Sequence, residues 1–200
     1  NRRYSPYAMA INDHFERILT PRQVMIRVNA GKLESDNWQN DPKTGGGRLV
    51  GEACHFIDLA LYLAGSVPTE VYATAGEGQD VYNIVIRFEN GSTATLLYTS
   101  EGDSSFSKEL VEVYAGGSVA VIDNFRKASI VSNGKRRKIR VKNGFLGGSQ
   151  DKGHNNELAE FIGAVSGNNQ LDVEGMFKTS RLTLLASQSM VEGKPLKVNF

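Results

Sequence analysis

The sequence almost lacks cysteine. Cys54 is the single one in 200 residues, which excludes an internal disulfide and fits a reducing, cytoplasmic setting. No apolar run approaches the ~20 residues that a membrane-spanning helix needs, and the N-terminus has no apolar core of a secretory signal. No membrane partner is therefore expected. An excess of one charge is also missing: 23 Lys and Arg stand against 22 Asp and Glu, a formal net charge of +1. That balance gives no global field to recruit nucleic acid. What remains, 40% hydrophobic and 22% charged residues, is ordinary globular usage, enough chain for one sizeable core.

Along the chain, Ser5-Pro6 reads as a helix cap followed by proline at the first helical position, opening an amphipathic helix through Leu19. Val24 to Val28 suit a strand, and a polar stretch follows from Glu34 to Thr44. Arg48 to Ala64 is apolar on most sides, bracketed by Gly45, Gly46, Gly47 and Gly65, and reads as one buried helix. Beyond Pro68, period-two segments follow at 70–74, 81–88, 93–98, 110–114, 119–122, 129–131 and 137–141, with Asn90-Gly91 and Asn133-Gly134 as hairpin turns. Helices at 155–165 and 174–191 and a short strand at 196–198 close the chain. Helices at the two ends and strands run together between them describe an α+β fold, an open and mainly antiparallel sheet with helices packed on one face. No linker divides the chain, so residues 1–200 are expected to be a single domain. The opening on Asn1, directly before Arg2 and Arg3, reads as a piece of something longer.

The chemistry concentrates in the helix after the glycines. Arg48, Gly51, Glu52, His55, Asp58 and Tyr62 share one side of it, a polar stripe on an otherwise buried element. Ionisable groups are costly to bury unless they pair or face a wet cleft, so the stripe is expected to line one. Glu52 and His55 lie one turn apart, close enough to interact, and a histidine beside a carboxylate suits general acid/base work near neutral pH. A satisfied histidine anchoring helix to sheet is the competing reading of the same spacing.

The run Asn1-Arg2-Arg3-Tyr4-Ser5-Pro6, followed by Gly-Gly-Gly, Cys-His-Phe-Ile-Asp-Leu and Tyr-Leu-Ala-Gly, then Lys152-Gly153-His154 and Glu157, resembles the C-terminal domain of the glucose-fructose oxidoreductase, inositol dehydrogenase and MocA family. That resemblance implies a dihydrodipicolinate-reductase-like sheet domain. It also implies an N-terminal Rossmann domain outside this chain, which binds NAD or NADP and ends in a Glu-Lys-Pro motif with a catalytic lysine. His55 matches the family's catalytic histidine. Where the family places an aspartate four residues earlier, this chain has Gly51 with Glu52 beside it, so Glu52 is the candidate second acid/base group. The resemblance extends to a branch with this glycine-glutamate pair that is fused to a zinc-type alcohol dehydrogenase domain. Arg3, Arg48, Asp58 and His154 are the candidate substrate-binding residues, His154 either reaching the pocket or capping the following helix.

Other readings of these residues are weaker. Gly45, Gly47 and Gly51 imitate a dinucleotide fingerprint, but the preceding segment is polar and contains Pro42, unlike the buried strand such a loop follows. No cofactor is therefore expected on this chain alone. The spacing Glu52-x-x-His55-x-x-Asp58 could serve a metal with His14 or His154, yet no second ordered ligand pair exists, and no metal is expected. The basic run from Lys135 to Lys142 has no interleaved aromatics and reads as a solvated hairpin strand, with no nucleic-acid partner. Cys54 reads as packing, on the helix side away from His55.

The resulting expectation is the substrate-binding and oligomerisation domain of an NAD(P)-dependent oxidoreductase. Its substrate would be a secondary hydroxyl of a sugar, polyol or nucleotide-sugar, and it would form a homo-oligomer through the open sheet face. A catalytically silent binding domain and a redox-assisted glycoside hydrolase remain the alternatives.

Overall fold

The computed structural model describes residues 1–34, 37–38, 45–77, 80–141 and 150–200. Most of the polar stretch 34–44, with Pro42, and Lys142 lie outside them. The chain opens with a 3₁₀ turn, Arg2–Tyr4, and helix α1, Pro6–Phe15. Ser5 Oγ accepts the Tyr7 N–H at 3.3 Å, satisfying a donor that the first helical turn leaves free. The helix ends four residues before Leu19. The Ile18 N–H turns back to the Phe15 carbonyl at 3.0 Å, and Leu19, 99% exposed, has no core to face.

Among the described residues nine strands form one sheet: β1 (Gln23–Asn29), β2 (Pro68–Ala75), β3 (Tyr82–Phe88), β4 (Thr93–Thr99), β5 (Glu109–Ala115), β6 (Ser118–Asp123), β7 (Lys127–Ser132), β8 (Lys135–Ile139) and β9 (Leu196–Lys197). Their order is β8-β7-β6-β5-β1-β4-β3-β2-β9. β1 runs parallel to β4 and antiparallel to β5, and every other pairing is antiparallel. Thus β1, the first strand in the chain, sits at the centre and joins two meanders. Among the described strands β8 is an edge, and its exposed Lys and Arg side chains guard it against edge-to-edge pairing.

Period-two burial puts Val24, Ile26, Val28, Ile84, Ile86, Leu96, Val111 and Val113 under the helices. They meet Ile11 and Phe15 of α1, Phe56, Leu59 and Leu63 of helix α2 (Cys54–Ala64), and Leu182 and Ala186 of helix α4 (Val173–Glu192). Each large apolar side chain buried there contributes about 1.5–3 kcal/mol. Helix α3 (His154–Val165) buries none of its residues and lies against the opening 3₁₀ turn. None of the helices in the described residues is long and apolar enough to cross a membrane.

The expected single helix 48–64 is interrupted at its start. Leu49–Ala53 is a π turn, marked by the Cys54 N–H reaching the Leu49 carbonyl five residues back. A π turn holds more residues than an α turn, so it rotates Glu52 relative to the side chains of α2. Gly65 then stops α2 with φ 63°, its N–H bonded to the Leu61 carbonyl at 3.1 Å.

Candidate active site

The site lies where the end of β1, the start of β5 and the π turn converge. The Asn29 N–H donates to the Lys108 carbonyl at 2.7 Å and the Ala30 N–H to the Thr99 carbonyl at 2.8 Å, fixing three strand ends together. Arg48, buried at the head of the π turn, donates to the Gly31 carbonyl at 2.6 Å and to Glu52 at 2.7 and 3.2 Å. Glu52 also accepts from Tyr98 Oη at 2.5 Å and Lys108 Nζ at 2.8 Å. Burial opposes ionisation of Glu52, but Lys108, Tyr98 and Arg48 outweigh it and hold the carboxyl at about 2. Burial and the same carboxylate push the Tyr98 phenol upward, so that it stays a donor.

A second anchored carboxylate stands beside the first. Glu109 is fully buried, takes two donors of Arg2 at 2.9 Å each, and accepts Lys152 Nζ at 2.7 Å. Burial alone would raise its pKa, but Arg2 and Lys152 bring it below the ordinary carboxylate value. The Arg2 guanidinium also lies over the Phe56 ring, 4.1 Å from its centroid. Lys152 is delivered by a backbone crossing that only glycine allows. Gly153 has φ 89°, and a Cβ there would come within 2.5–2.6 Å of Ser5 N, Tyr4 C and Asn1 O.

Arg3 and Asp58 form a third cluster. Arg3 grips Asp58 at 2.5 and 2.8 Å and reaches Asp172 at 2.8 Å, while Thr179 Oγ1 donates to Asp58 at 3.0 Å. Asp172 is itself the cap of α4, accepting the Gly175 N–H at 2.8 Å. The opening turn, α2 and α4 are tied by this cluster.

His55 stands between the clusters. It lines both an open cleft of about 460 Å³, shared with Glu52, Lys108, Lys152 and His154, and a smaller one of about 280 Å³, shared with Cys54, Arg3 and Asp58. The ring is half-buried, and no side-chain hydrogen bond is made to it by the described residues. Burial and then the nearby Arg2 lower its pKa, with Asp58 and Glu157 pulling the other way. A neutral imidazole at neutral pH follows, with ring nitrogens that no side chain of the described residues occupies.

The sequence candidates thus divide. Arg48 and Glu52 pair with each other, as do Arg3 and Asp58, and His154 sits at the cleft rim with its Nε2 2.7 Å from Asn1 Nδ2. His154 is the first residue of α3, whose cap position is Gly153. Glu52 bonds to Arg48, Tyr98 and Lys108 instead of His55, because the π turn aims it toward β4 and β5. Cys54 lines the smaller cleft together with His55, and burial raises its thiol pKa. The metal spacing disperses: Glu52 and Asp58 are held by different cations, and no group of three His, Cys, Asp or Glu converges among the described residues.

Lys108, Glu109 and Tyr98 were not singled out in the sequence, and Arg2 and Lys152 stood there as motif residues, not as site candidates. One signal was available. Glu109 begins the inward-facing series Glu109, Val111, Val113, Ala115, and a carboxylate on the buried face of a strand demands a cationic partner. As for a dinucleotide, the described residues form no strand, glycine loop and helix unit. β1 ends at Asn29, and the helix start after the glycines is taken by Arg48 and its carbonyl partners.

Comparison with known proteins agrees with this geometry. Residues 17–123 match the family described as GFO/IDH/MocA C-terminal domain. The uncharacterized oxidoreductase YrbE of Bacillus subtilis is 25% identical over 213 residues, spanning 99% of this chain and 61% of the relative. Among solved structures, aldose-aldose oxidoreductase from Caulobacter crescentus, complexed with glycerol, superposes with a TM-score of 0.81 at 15% identity, covering 98% of this chain and 62% of that one. Levoglucosan dehydrogenase in complex with NADH and levoglucosan gives 0.80 at 17% identity, covering 99% and 65%. The chain therefore spans less than two thirds of the length of these relatives, and at such identities the structures establish a shared fold.

Proposed function

Since the chain belongs to the GFO/IDH/MocA C-terminal domain family, we propose that it is the substrate-side domain of an NAD(P)-dependent oxidoreductase acting on a secondary hydroxyl of a sugar, polyol or nucleotide-sugar. The observation that carries this reading is His55, a half-buried imidazole on the wall of two clefts with no side chain of the described residues bonded to it and a lowered pKa. Such a group takes the hydroxyl proton as the carbinol carbon is oxidised, and returns it in the reverse direction. The hydride acceptor, NAD or NADP, is assigned to the part of the parent outside this chain; levoglucosan dehydrogenase, which shares this fold, is known in complex with NADH. Glu52, held ionised by three neighbours, orients the cleft and does not carry the proton. Arg48 and His154 shape its walls, and Arg3 and Asp58 those of the smaller cleft.

The open sheet face supports association of identical chains. Tyr72, Val85, Thr95, Met25, Glu112 and Val121 form one cross-strand row on the side away from the helices, with Tyr72, Val85 and Met25 exposed. The fusion to a zinc-type alcohol dehydrogenase suggested by Gly51 and Glu52 gains no support from the relatives.

Turnover of sugars and polyols by the full-length parent, followed by nicotinamide absorbance with His55→Asn alongside, tests the reading. A loss of about 100-fold or more in kcat with modest change in KM is expected. Unchanged turnover removes His55 from the chemistry and leaves a silent binding domain.

A further inference from the structure

The larger cleft is layered by charge. Its carboxylates are recessed and saturated: Glu109 is 0% exposed and Glu52 16%, and every oxygen of both already accepts at least one donor. The guanidiniums that hold them, Arg2 at 5% and Arg48 at 2%, are also buried. What stands in front is ammonium. Lys108 is 38% exposed and Lys152 19%, and among the described residues each has one hydrogen-bonded carboxylate for three N–H donors. Four cations, Arg2, Arg48, Lys108 and Lys152, face two carboxylates, Glu52 and Glu109, which leaves an excess of two positive charges among the described residues of this wall.

A neutral polyol has no use for that excess. Its hydroxyls are recognised by mixed donors and acceptors, and a cleft built for it keeps carboxylate oxygens forward to accept them. Here Glu109 is enclosed behind Lys152 and Glu52 lies deeper than Lys108, and the oxygens of both are already engaged, so the N–H groups still unengaged among the described residues of the wall are the lysines'.

Resting on the proposed oxidoreductase reading, we infer that the substrate carries an anionic group, a carboxylate or a phosphoryl ester, gripped between Lys108 and Lys152 while its hydroxyl-bearing carbon lies at His55. The buried carboxylates hold the two ammoniums in place without neutralising the wall. Lys108 and Lys152 are therefore specificity-determining residues, and Glu52 and Glu109 position them. The two lysines reach the cleft from separate elements, one just ahead of β5 and one just ahead of α3, so an anion bound between them bridges the sheet and the C-terminal helices. Charge-assisted hydrogen bonds of this kind discriminate strongly against an analogue lacking the charge.

The test uses the full-length parent and direct binding by calorimetry, with D-glucose, D-glucuronate and D-glucose 6-phosphate as one matched series and myo-inositol with inositol 1-phosphate as a second. At least one anionic probe is expected to bind about tenfold or more tighter than its neutral counterpart, and the glucuronate and phosphate arms decide which anion the cleft takes. Lys108→Gln and Lys152→Gln should each reduce that ratio about tenfold, and Lys108→Arg should restore most of it. The ratio within one variant does not depend on how much of that variant folds. Equal affinities across each pair, no binding of any anionic probe, or a preference that survives the double variant overturns the inference. Turnover of the neutral sugars with equal affinities leaves the oxidoreductase reading standing. A charge-selective ratio without turnover of any probe leaves the cleft assignment standing and removes the reaction.

Discussion

Replacing Glu52 by glutamine tests whether its carboxylate is a structural anion. The carboxyl moves from 4.5 to about 2 on folding. That difference corresponds to about 3 kcal/mol, and cleft water reaching its exposed edge reduces the figure to about 2 kcal/mol. The sign follows from linkage: a carboxyl whose folded pKa lies below its unfolded value stabilises the fold above the unfolded pKa, and that contribution is lost as pH falls through the folded one. Urea unfolding of the chain should show Glu52→Gln about 2 kcal/mol less stable at pH 7, with the gap shrinking below about 1 kcal/mol near pH 3. Tyr98 and Lys108 relax toward the cleft in the variant, while Arg48, 2% exposed, loses its buried counter-ion. A variant within 0.5 kcal/mol of the parent chain at about pH 7, or a gap that does not change with pH, would refute the reasoning.

Glu109→Ala should cost about 3–5 kcal/mol in the same assay, because it leaves Arg2 and Lys152 without their counter-ion in a buried place. Gly153→Ala, forced against backbone at a positive φ, should destabilise by about 2 kcal/mol or more and accelerate amide hydrogen exchange in the opening turn and α3 together. For His55 acting as base, kcat/KM of the parent should rise with pH through a midpoint below 6.5 and stay flat above it. A midpoint above 6.5 counts against that role. His55→Asn should abolish this acid limb.

Much of the architecture was readable in the sequence because its signals are local. Proline after Ser5, glycine after Ala64 and Val191-Glu192, Asn-Gly turns and period-two runs each report on a few neighbouring residues, and each element lies near its expected place. The central position of β1 was not readable, since its partners β4 and β5 lie about 70 and 85 residues away and pairing choice leaves no local mark. The site divides on the same line. Its α2 residues shared a visible stripe, but the π turn that redirects Glu52 obeys no pattern an α-helical projection contains. Lys108 and Lys152 belong to the site only through long-range closure of the sheet and the crossing at Gly153.

The central place of β1 governs the order of assembly. Each meander, β2-β3-β4 on one side and β5-β6-β7-β8 on the other, is built from hairpins that close quickly because their strands are consecutive. Neither can pair with the other until β1 enters between them, bringing together segments far apart in the chain. That late event creates the junction of Asn29, Lys108, Ala30 and Thr99 on which the cleft is founded. Ligand-binding capacity should consequently be the last property regained on refolding, appearing after most strand signal has returned.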